Sequence, residues 1–157
     1  AVNLGSAEEV RAATAELLAR VRAARPEAAL RGVCVQQMVN GVELIVGVTR
    51  DPQFGPLVMV GTGGTAVELR RDVAFELAPL TLADAGAMLD RTLAGLLLGG
   101  YRGGSPGDRA AMEEVIVRLA RLALDLPSVA EIEINPVIVQ AAGQGALAVD
   151  VRALVQS

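Results

Sequence analysis

The sequence contains no lysine, histidine or tryptophan, and it has only one cysteine. Without histidine or lysine, the chain itself supplies no imidazole base, no phosphohistidine and no lysine ammonium group for a phosphate. A single cysteine excludes a disulfide bond within the chain. Cys34 lies in an apolar run, which predicts a small buried side chain. These absences limit every enzymatic function that the 157 residues could perform alone.

Aromatic residues are also scarce, since Phe54, Phe75 and Tyr101 are the full set. Together with the net charge of -4, this scarcity argues against nucleic acid or an anionic membrane as the main partner. No signal peptide is visible, and no uncharged apolar run approaches the ~20 residues needed to span a bilayer. A cytoplasmic location is therefore expected. The length and the hydrophobic content of 52% fit one globular domain with a substantial core.

The apolar pattern predicts strands and helices in separate runs, which is typical of an α+β fold. Ser6 and Glu9 form a capping-box pattern at the start of a helix, and Asp108 is placed to cap another. Asn40-Gly41 lies between two β-branched runs and favours a hairpin. Helices are predicted at 7–24, 81–98 and from 108 to Pro127, and strands at 33–39, 43–50, 56–61, 73–77, 129–139 and 146–152.

The downstream segment Glu131-Ile132-Glu133-Ile134-Asn135-Pro136 carries the strongest chemical signal. Alternation along a strand places Glu131, Glu133 and Asn135 on one face. If the last two strands form a hairpin, its register pairs Asn135 with Asp150, and Leu147, Val149 and Val151 face the core. An amide and a carboxylate oxygen on adjacent strands can hold Mg²⁺. The alternative interpretation is a solvated strand face with ordinary polar residues.

Three other positions permit both a functional and a structural interpretation. Glu43, at the start of a strand, could accept hydrogen bonds from a ribose diol or simply face solvent. The glycine-rich segment 61–64 could let backbone amides approach a phosphate, although a tight turn is favoured because no P-loop or dinucleotide spacing is present. Arg102 could bind an anion or belong to a loop that only joins two helices.

These segments occur together and in order, and the combination resembles a known family. From about Val2 to Leu154, the chain is similar to the C-terminal portion of the ATP-grasp domain of ADP-forming acyl-CoA synthetases, which are relatives of the succinyl-CoA synthetase β subunit. The resemblance is carried by Val35-Gln36, residues 42–56, Gly63-Gly64 with Glu68, Tyr101-Arg102-Gly103, residues 131–136 and Val149-Asp150.

The resemblance implies a mostly antiparallel sheet with helices packed on it and a site for ATP or ADP with Mg²⁺. It implies that the hinge formed by Gln36, Gln37 and Met38 contacts adenine and that Glu43 binds ribose. Two further positions, Asn135 and Asp150, match magnesium ligands of the family. The carboxylate of Glu133 matches the one that faces a phosphohistidine on a partner domain or subunit.

The family also carries a lysine for the nucleotide phosphates and a histidine loop, and this chain has neither residue type. We therefore expect residues 1–157 to be one partial ATP-grasp domain of a longer, oligomeric enzyme, with the N-terminal subdomain and the CoA-binding domains elsewhere in the protein. The isolated chain is expected to be inactive. The alternatives are a regulatory ATP-grasp-like module fused to an acetyltransferase and a scaffold that binds no ligand.

Overall fold

The computed structural model describes residues 1–64 and 72–156, with the side chain of Arg102 left out. Glu68 and the Arg102 side chain, which the sequence singled out, lie outside the described part. The chain divides into two compact units, Ala1–Val39 and Asn40–Ser157. Each unit is described by itself.

The first unit contains helix α1, Ala7–Ala24, as the capping pattern predicts. The Ser6 side chain accepts a hydrogen bond from the Glu9 N–H at 3.2 Å, and the Glu9 carboxylate accepts one from the Gly5 N–H at 2.6 Å. The predicted strand at 33–39 is not formed, and the prediction that Cys34 is buried is wrong, because Cys34 is exposed. No sheet covers this segment within the unit, so its side chains remain at the surface.

The second unit is built on one antiparallel sheet, whose strands are β1 (Val42–Asp51), β2 (Gly55–Thr62), β3 (Val73–Leu77), β4 (Val129–Val139), β5 (Ala146–Ala148) and β6 (Val151–Val155). The strand order is β3-β2-β1-β4, and the other side of β4 pairs with β5 along one part of its length and with β6 along another.

The hairpin predicted at Asn40-Gly41 is wrong, because β1 pairs with β2 on one side and β4 on the other. Both edges of β1 are therefore already paired, and no edge is left for a strand at 33–39. A type I′ turn would also need positive φ at both central residues, and neither Asn40 nor Gly41 has it. Gly41 instead lies against the Val139 backbone, where an added Cβ would collide with the Val139 carbonyl oxygen.

In the described part of the second unit, three α-helices follow β3: α2 (Leu82–Asp90), α3 (Leu93–Leu98) and α4 (Arg109–Asp125). The single helix predicted at 81–98 is broken between α2 and α3. Asp72 on a different part of the chain accepts hydrogen bonds from the Leu93 N–H at 2.9 and 3.1 Å, which caps a new helix start. Thr92 is buried at the break and donates its hydroxyl hydrogen to the Leu89 carbonyl at 2.9 Å.

The helices cover one face of the sheet and form the core with it. Fully buried side chains include Leu44 and Val46 of β1, Met88 and Leu89 of α2, and Met112 and Ile116 of α4. Burial of such side chains stabilises this unit, since each fully buried aliphatic side chain contributes roughly 1.5–3 kcal/mol. Among the helices in the described part of the chain, none is both long and apolar enough to cross a membrane.

Candidate functional site

The sheet has a second face that the helices leave uncovered, and the predicted site residues of the second unit lie on it. The register places Glu43, Gly47 and Thr49 of β1 on the side opposite the core residues Leu44 and Val46. We call this side the open face. Neighbouring strands extend this face. Its residues that pair with β1 are Met59 on β2 and Glu131, Glu133 and Ile138 on β4, and Phe75 on β3 pairs with Met59.

Asn135 and Asp150 lie directly opposite each other, in the register that the sequence predicts. The Asn135 N–H donates a hydrogen bond to the Asp150 carbonyl at 3.0 Å, and the flanking pairs Ile134 with Val151 and Val137 with Ala148 continue the same register. Residues that lie opposite each other in an antiparallel pair point to the same face. The strand itself is interrupted at Val149-Asp150, between β5 and β6.

The prediction that Leu147, Val149 and Val151 face the core is wrong. Their exposed fractions are 46%, 42% and 55%. One reason is that β5 and β6 form the edge of the sheet, where each pairs with β4 on one side only. A second reason is a β-bulge at Asn135-Pro136, which oppose the single residue Ile45 of β1. Bulges bend a strand and redirect its side chains, and they are common beside active sites.

The turn after β2 brings Glu43 and Asn135 together. The Gly64 N–H donates a hydrogen bond to Asn135 Oδ1 at 3.2 Å. The Glu43 carboxylate also lies beside Gly64, since an added Cβ there would lie 2.5 Å from Glu43 Oε2. The preceding Gly63 N–H donates to the Glu43 carbonyl at 2.8 Å and holds the turn against β1. Sequence reasoning missed this contact because nothing in a linear pattern signals a hydrogen bond across 71 residues.

Glu133 lies on the open face beside a shallow groove. It pairs with Gly47 on one side and with Arg152 of β6 on the other. The groove has a volume of about 160 Å³ and an apolar floor that includes Leu57, Met59 and Phe75. Glu133 is therefore placed where a second segment could approach it from outside. Sequence reasoning also missed Arg152, whose position opposite Glu133 follows only from the register.

The predicted adenine-contacting residues belong to the first unit. Gln36 and Met38 line a cleft of about 180 Å³ whose other walls include α1 residues Val10 and Leu17; Gln37 does not line it. The backbone of residues 36–38 forms no hydrogen bond with any described residue. Its N–H and C=O groups can therefore form hydrogen bonds with donors and acceptors on the edge of a planar ring.

The predicted magnesium ligands fit the chemistry of that ion. Mg²⁺ takes oxygen ligands and usually retains several waters, and Asn135 and Asp150 supply an amide and a carboxylate oxygen. Asn135 Oδ1 accepts one hydrogen bond and keeps a second lone pair, whereas the Asp150 carboxylate accepts none from the described residues. Within residues 1–64 and 72–156, no three His, Cys, Asp or Glu side chains form a metal-binding group.

Comparisons with known proteins identify the family. The ATP-grasp domain family matches residues 1–155. The chain is 43% identical over 152 residues to the beta subunit of ADP-forming acetate–CoA ligase I from Pyrococcus furiosus, covering 96% of this chain and 65% of that subunit. It is 45% identical over 129 residues to ADP-forming acetate–CoA ligase I from Archaeoglobus fulgidus, covering 82% of this chain and 19% of that protein. The chain thus spans about two thirds of the subunit and about a fifth of the longer ligase.

A solved structure shows the same fold. Acetyl-coenzyme A synthetase 1 from Ca. Korarchaeum cryptofilum, in complex with coenzyme A, Ca-AMPCP and HgCl+, superimposes with a TM-score of 0.86 at 44% identity. The match covers 99% of this chain and 68% of that one. A selenomethionine form of that enzyme, with Mg-AMPPCP bound, is described with its phosphohistidine segment pointing towards the nucleotide binding site; it matches with a TM-score of 0.83. The chain belongs to the ATP-grasp domain family, and within it resembles the ADP-forming acyl-CoA synthetases.

Proposed function

We propose that this chain forms the magnesium- and adenosine-binding part of the nucleotide site of an ADP-forming acyl-CoA synthetase. Such an enzyme converts an acid, CoA and ATP into acyl-CoA, ADP and phosphate through a phosphohistidine on a partner domain or subunit, with CoA bound elsewhere in the protein. The observation that carries the proposal is the pairing of Asn135 with Asp150, together with the Gly64 turn, which bonds to Asn135 and lies against the Glu43 carboxylate. The relatives named above are ligases or synthetases, which favours this function over a regulatory module.

Each predicted residue has a separate role in the proposal. Asn135 and Asp150 would hold Mg²⁺, which neutralises phosphate charge when bound. Glu43 binds the ribose diol, and the exposed backbone at Gln36, Gln37 and Met38 contacts adenine. Glu133 faces the phosphohistidine that approaches from a partner, because it lies on the open face beside a groove. The catalytic unit includes that partner and is expected to be oligomeric.

The test is the affinity of the intact protein for ATP in the presence of Mg²⁺, measured by isothermal titration calorimetry. We expect Asn135→Ala and Asp150→Ala each to weaken binding by about 10-fold or more, a loss seen even for residues that only support metal ligands. Thermal unfolding should change little, because Asp150 is exposed and Asn135 only partly buried. Asp125→Ala, at an exposed carboxylate on α4, is the control. Parent-like affinity in both site variants would refute the ligand assignment.

A further inference from the structure

The amide of Asn135 can be useful to a cation in only one of its two orientations. Its oxygen can coordinate Mg²⁺, whereas its NH₂ group carries two donors and no acceptor. The two orientations have nearly the same shape, so packing alone discriminates weakly between them. A metal site that depends on an asparagine therefore needs a neighbouring group that selects the oxygen.

The Gly64 N–H is such a group. It donates to Asn135 Oδ1 at 3.2 Å, and a backbone N–H can be satisfied only by an acceptor, so the flipped amide would place two donors face to face. The turn that presents this N–H is fixed independently, because the Gly63 N–H is bonded to the Glu43 carbonyl at 2.8 Å. The orientation of Asn135 is thus set by a rigid part of the sheet rather than by another mobile side chain.

Residue 64 is also constrained to be glycine. Its φ of +79° lies in the left-handed region, which L side chains rarely adopt, and an added Cβ would lie 2.5 Å from Glu43 Oε2. Any side chain there would strain the turn and displace the carboxylate proposed to bind ribose. One backbone position therefore serves two of the proposed ligand groups.

We propose that the Gly64 N–H is a positioning group of the nucleotide site, which holds the Asn135 amide with its oxygen available to the cation while the missing side chain leaves space for Glu43. This inference rests on the proposed function, since it requires Mg²⁺ at Asn135. It deepens that function by assigning a role to the Gly63-Gly64 turn, which the sequence left open between a phosphate contact and a simple turn.

The direct test replaces Gly64 with glycolic acid, which exchanges the N–H for an ester oxygen and adds no side chain. Affinity for ATP with Mn²⁺ is measured by calorimetry on the intact protein, in the parent and in an Asn135→Asp background. Both carboxylate oxygens of an aspartate can bind a cation, so that background does not need an orienting donor. We expect the ester to weaken binding about 5-fold in the parent, the ordinary worth of one hydrogen bond, and to have no effect in the Asn135→Asp background.

A matched control separates positioning from general stability. Glycolic acid at Gly107 also removes one backbone N–H and adds no side chain, but this N–H bonds to the Leu98 carbonyl at 3.0 Å and to none of the proposed ligand residues. This ester should lower the melting temperature while leaving the affinity of the parent nearly unchanged. Equal losses of affinity for the two esters, or an equal loss at Gly64 in both backgrounds, would overturn the positioning role.

The outcomes also separate this inference from the function on which it rests. If Asn135→Ala weakens binding and the Gly64 ester does not, the magnesium site stands and the positioning role is wrong. If Asn135→Ala binds ATP with Mn²⁺ like the parent, the proposed function fails at this residue, and the inference fails with it.

Discussion

At the scale of single residues, Glu131 and Glu133 look alike in sequence but differ in their surroundings. Both lie on the open face, yet Glu131 is exposed and pairs with Thr49, whereas Glu133 is partly buried and pairs with Gly47, which has no side chain to cover it. Both residues line the same groove, but Glu133 lies next to the proposed magnesium ligand Asn135 on this face of the strand and Glu131 lies one position further away. The proposed function gives Glu133 the relay role because of this position and the family resemblance.

We expect Glu133→Gln to slow phosphate transfer between ATP and the phosphohistidine by about 100-fold, the lower range for a group that assists a reacting centre. Its affinity for ATP with Mg²⁺ should stay near the parent value, because the substitution removes charge without touching Asn135 or Asp150. Rapid-quench measurement of phosphoenzyme formation gives the rate, and calorimetry gives the affinity. Glu131→Gln is the control and should change neither. Loss of affinity in proportion to the rate would contradict the relay role.

Asp108 stabilises two segments at once. Its carboxylate accepts a hydrogen bond from the Gly145 N–H at 2.8 Å and from the Ala111 N–H at 3.1 Å. These bonds, that of Gly145 first, favour the ionised form and lower the pKa of Asp108 below its ordinary value. The start of α4 is thereby tied to the turn between β4 and β5, the hairpin whose register places Asp150 opposite Asn135.

Because the folded pKa of Asp108 is lowered, its stabilising effect is present above the ordinary value of 3.8 and is lost as pH falls through the folded value. Asp108→Ala should therefore lower the melting temperature clearly near neutral pH and much less in strong acid. Circular dichroism melts across this range provide the measurement, with Gln144→Ala in the same turn as the control. A melting-temperature loss that is the same at every pH would exclude the carboxylate as its source.

The sequence predicts how the proposed site residues are paired better than it predicts their other neighbours. Alternation along a strand places Glu131, Glu133 and Asn135 on one face, and the length of a hairpin is enough to pair Asn135 with Asp150. The contact of Asn135 with Gly64 is not predictable, since it depends on how β1 joins two strands that are distant in sequence. The burial of Cys34 is mispredicted for a similar reason: an apolar run indicates a buried strand only if another element covers it.

At the scale of elements, the local signals for helix starts and for the strands at 43–50, 56–61, 73–77 and 129–139 agree with the structure. The predicted strand at 33–39 is not formed, and the one at 146–152 is divided into β5 and β6. The start of α1 at Ser6, the capping of α4 by Asp108 and the bounds of β4 all follow from short patterns. The break between α2 and α3 does not, because helical periodicity continues through it. A carboxylate from outside the helix, that of Asp72, determines where the second helix begins.

Asp72→Ala removes the only described side-chain acceptor at the start of α3, since Thr92 makes no side-chain cap bond there. We expect a loss of about 1 kcal/mol in the free energy of unfolding, the usual cost of losing a helix cap. Chemical denaturation measures it. Glu76→Ala, which removes a surface ion pair with Arg91, is the control and should cost less. Equal costs would show that the Asp72 contact does not determine the break.

At the scale of the whole molecule, the sheet of the second unit has one face packed against the described helices and an open face that carries the proposed ligand residues. The amphipathic strands and helices predict this division, because a helix-covered face needs continuous aliphatic side chains such as those of Val46 and Val58. What the open face binds is set by a few polar residues that packing does not require. This is why the fold and the family could be predicted from the sequence, whereas the arrangement around Gly64 required the structure.

In the proposed function, a divalent cation with its nucleotide binds at Asn135 and Asp150 on the open face. Paramagnetic Mn²⁺ with ATP can be titrated into the isotope-labelled intact protein to record which amide signals broaden. We expect the signals of Gly64, Asn135 and Asp150 to broaden first and excess Mg²⁺ to reverse the effect. Broadening centred on other residues, with these three signals unchanged, would contradict this assignment.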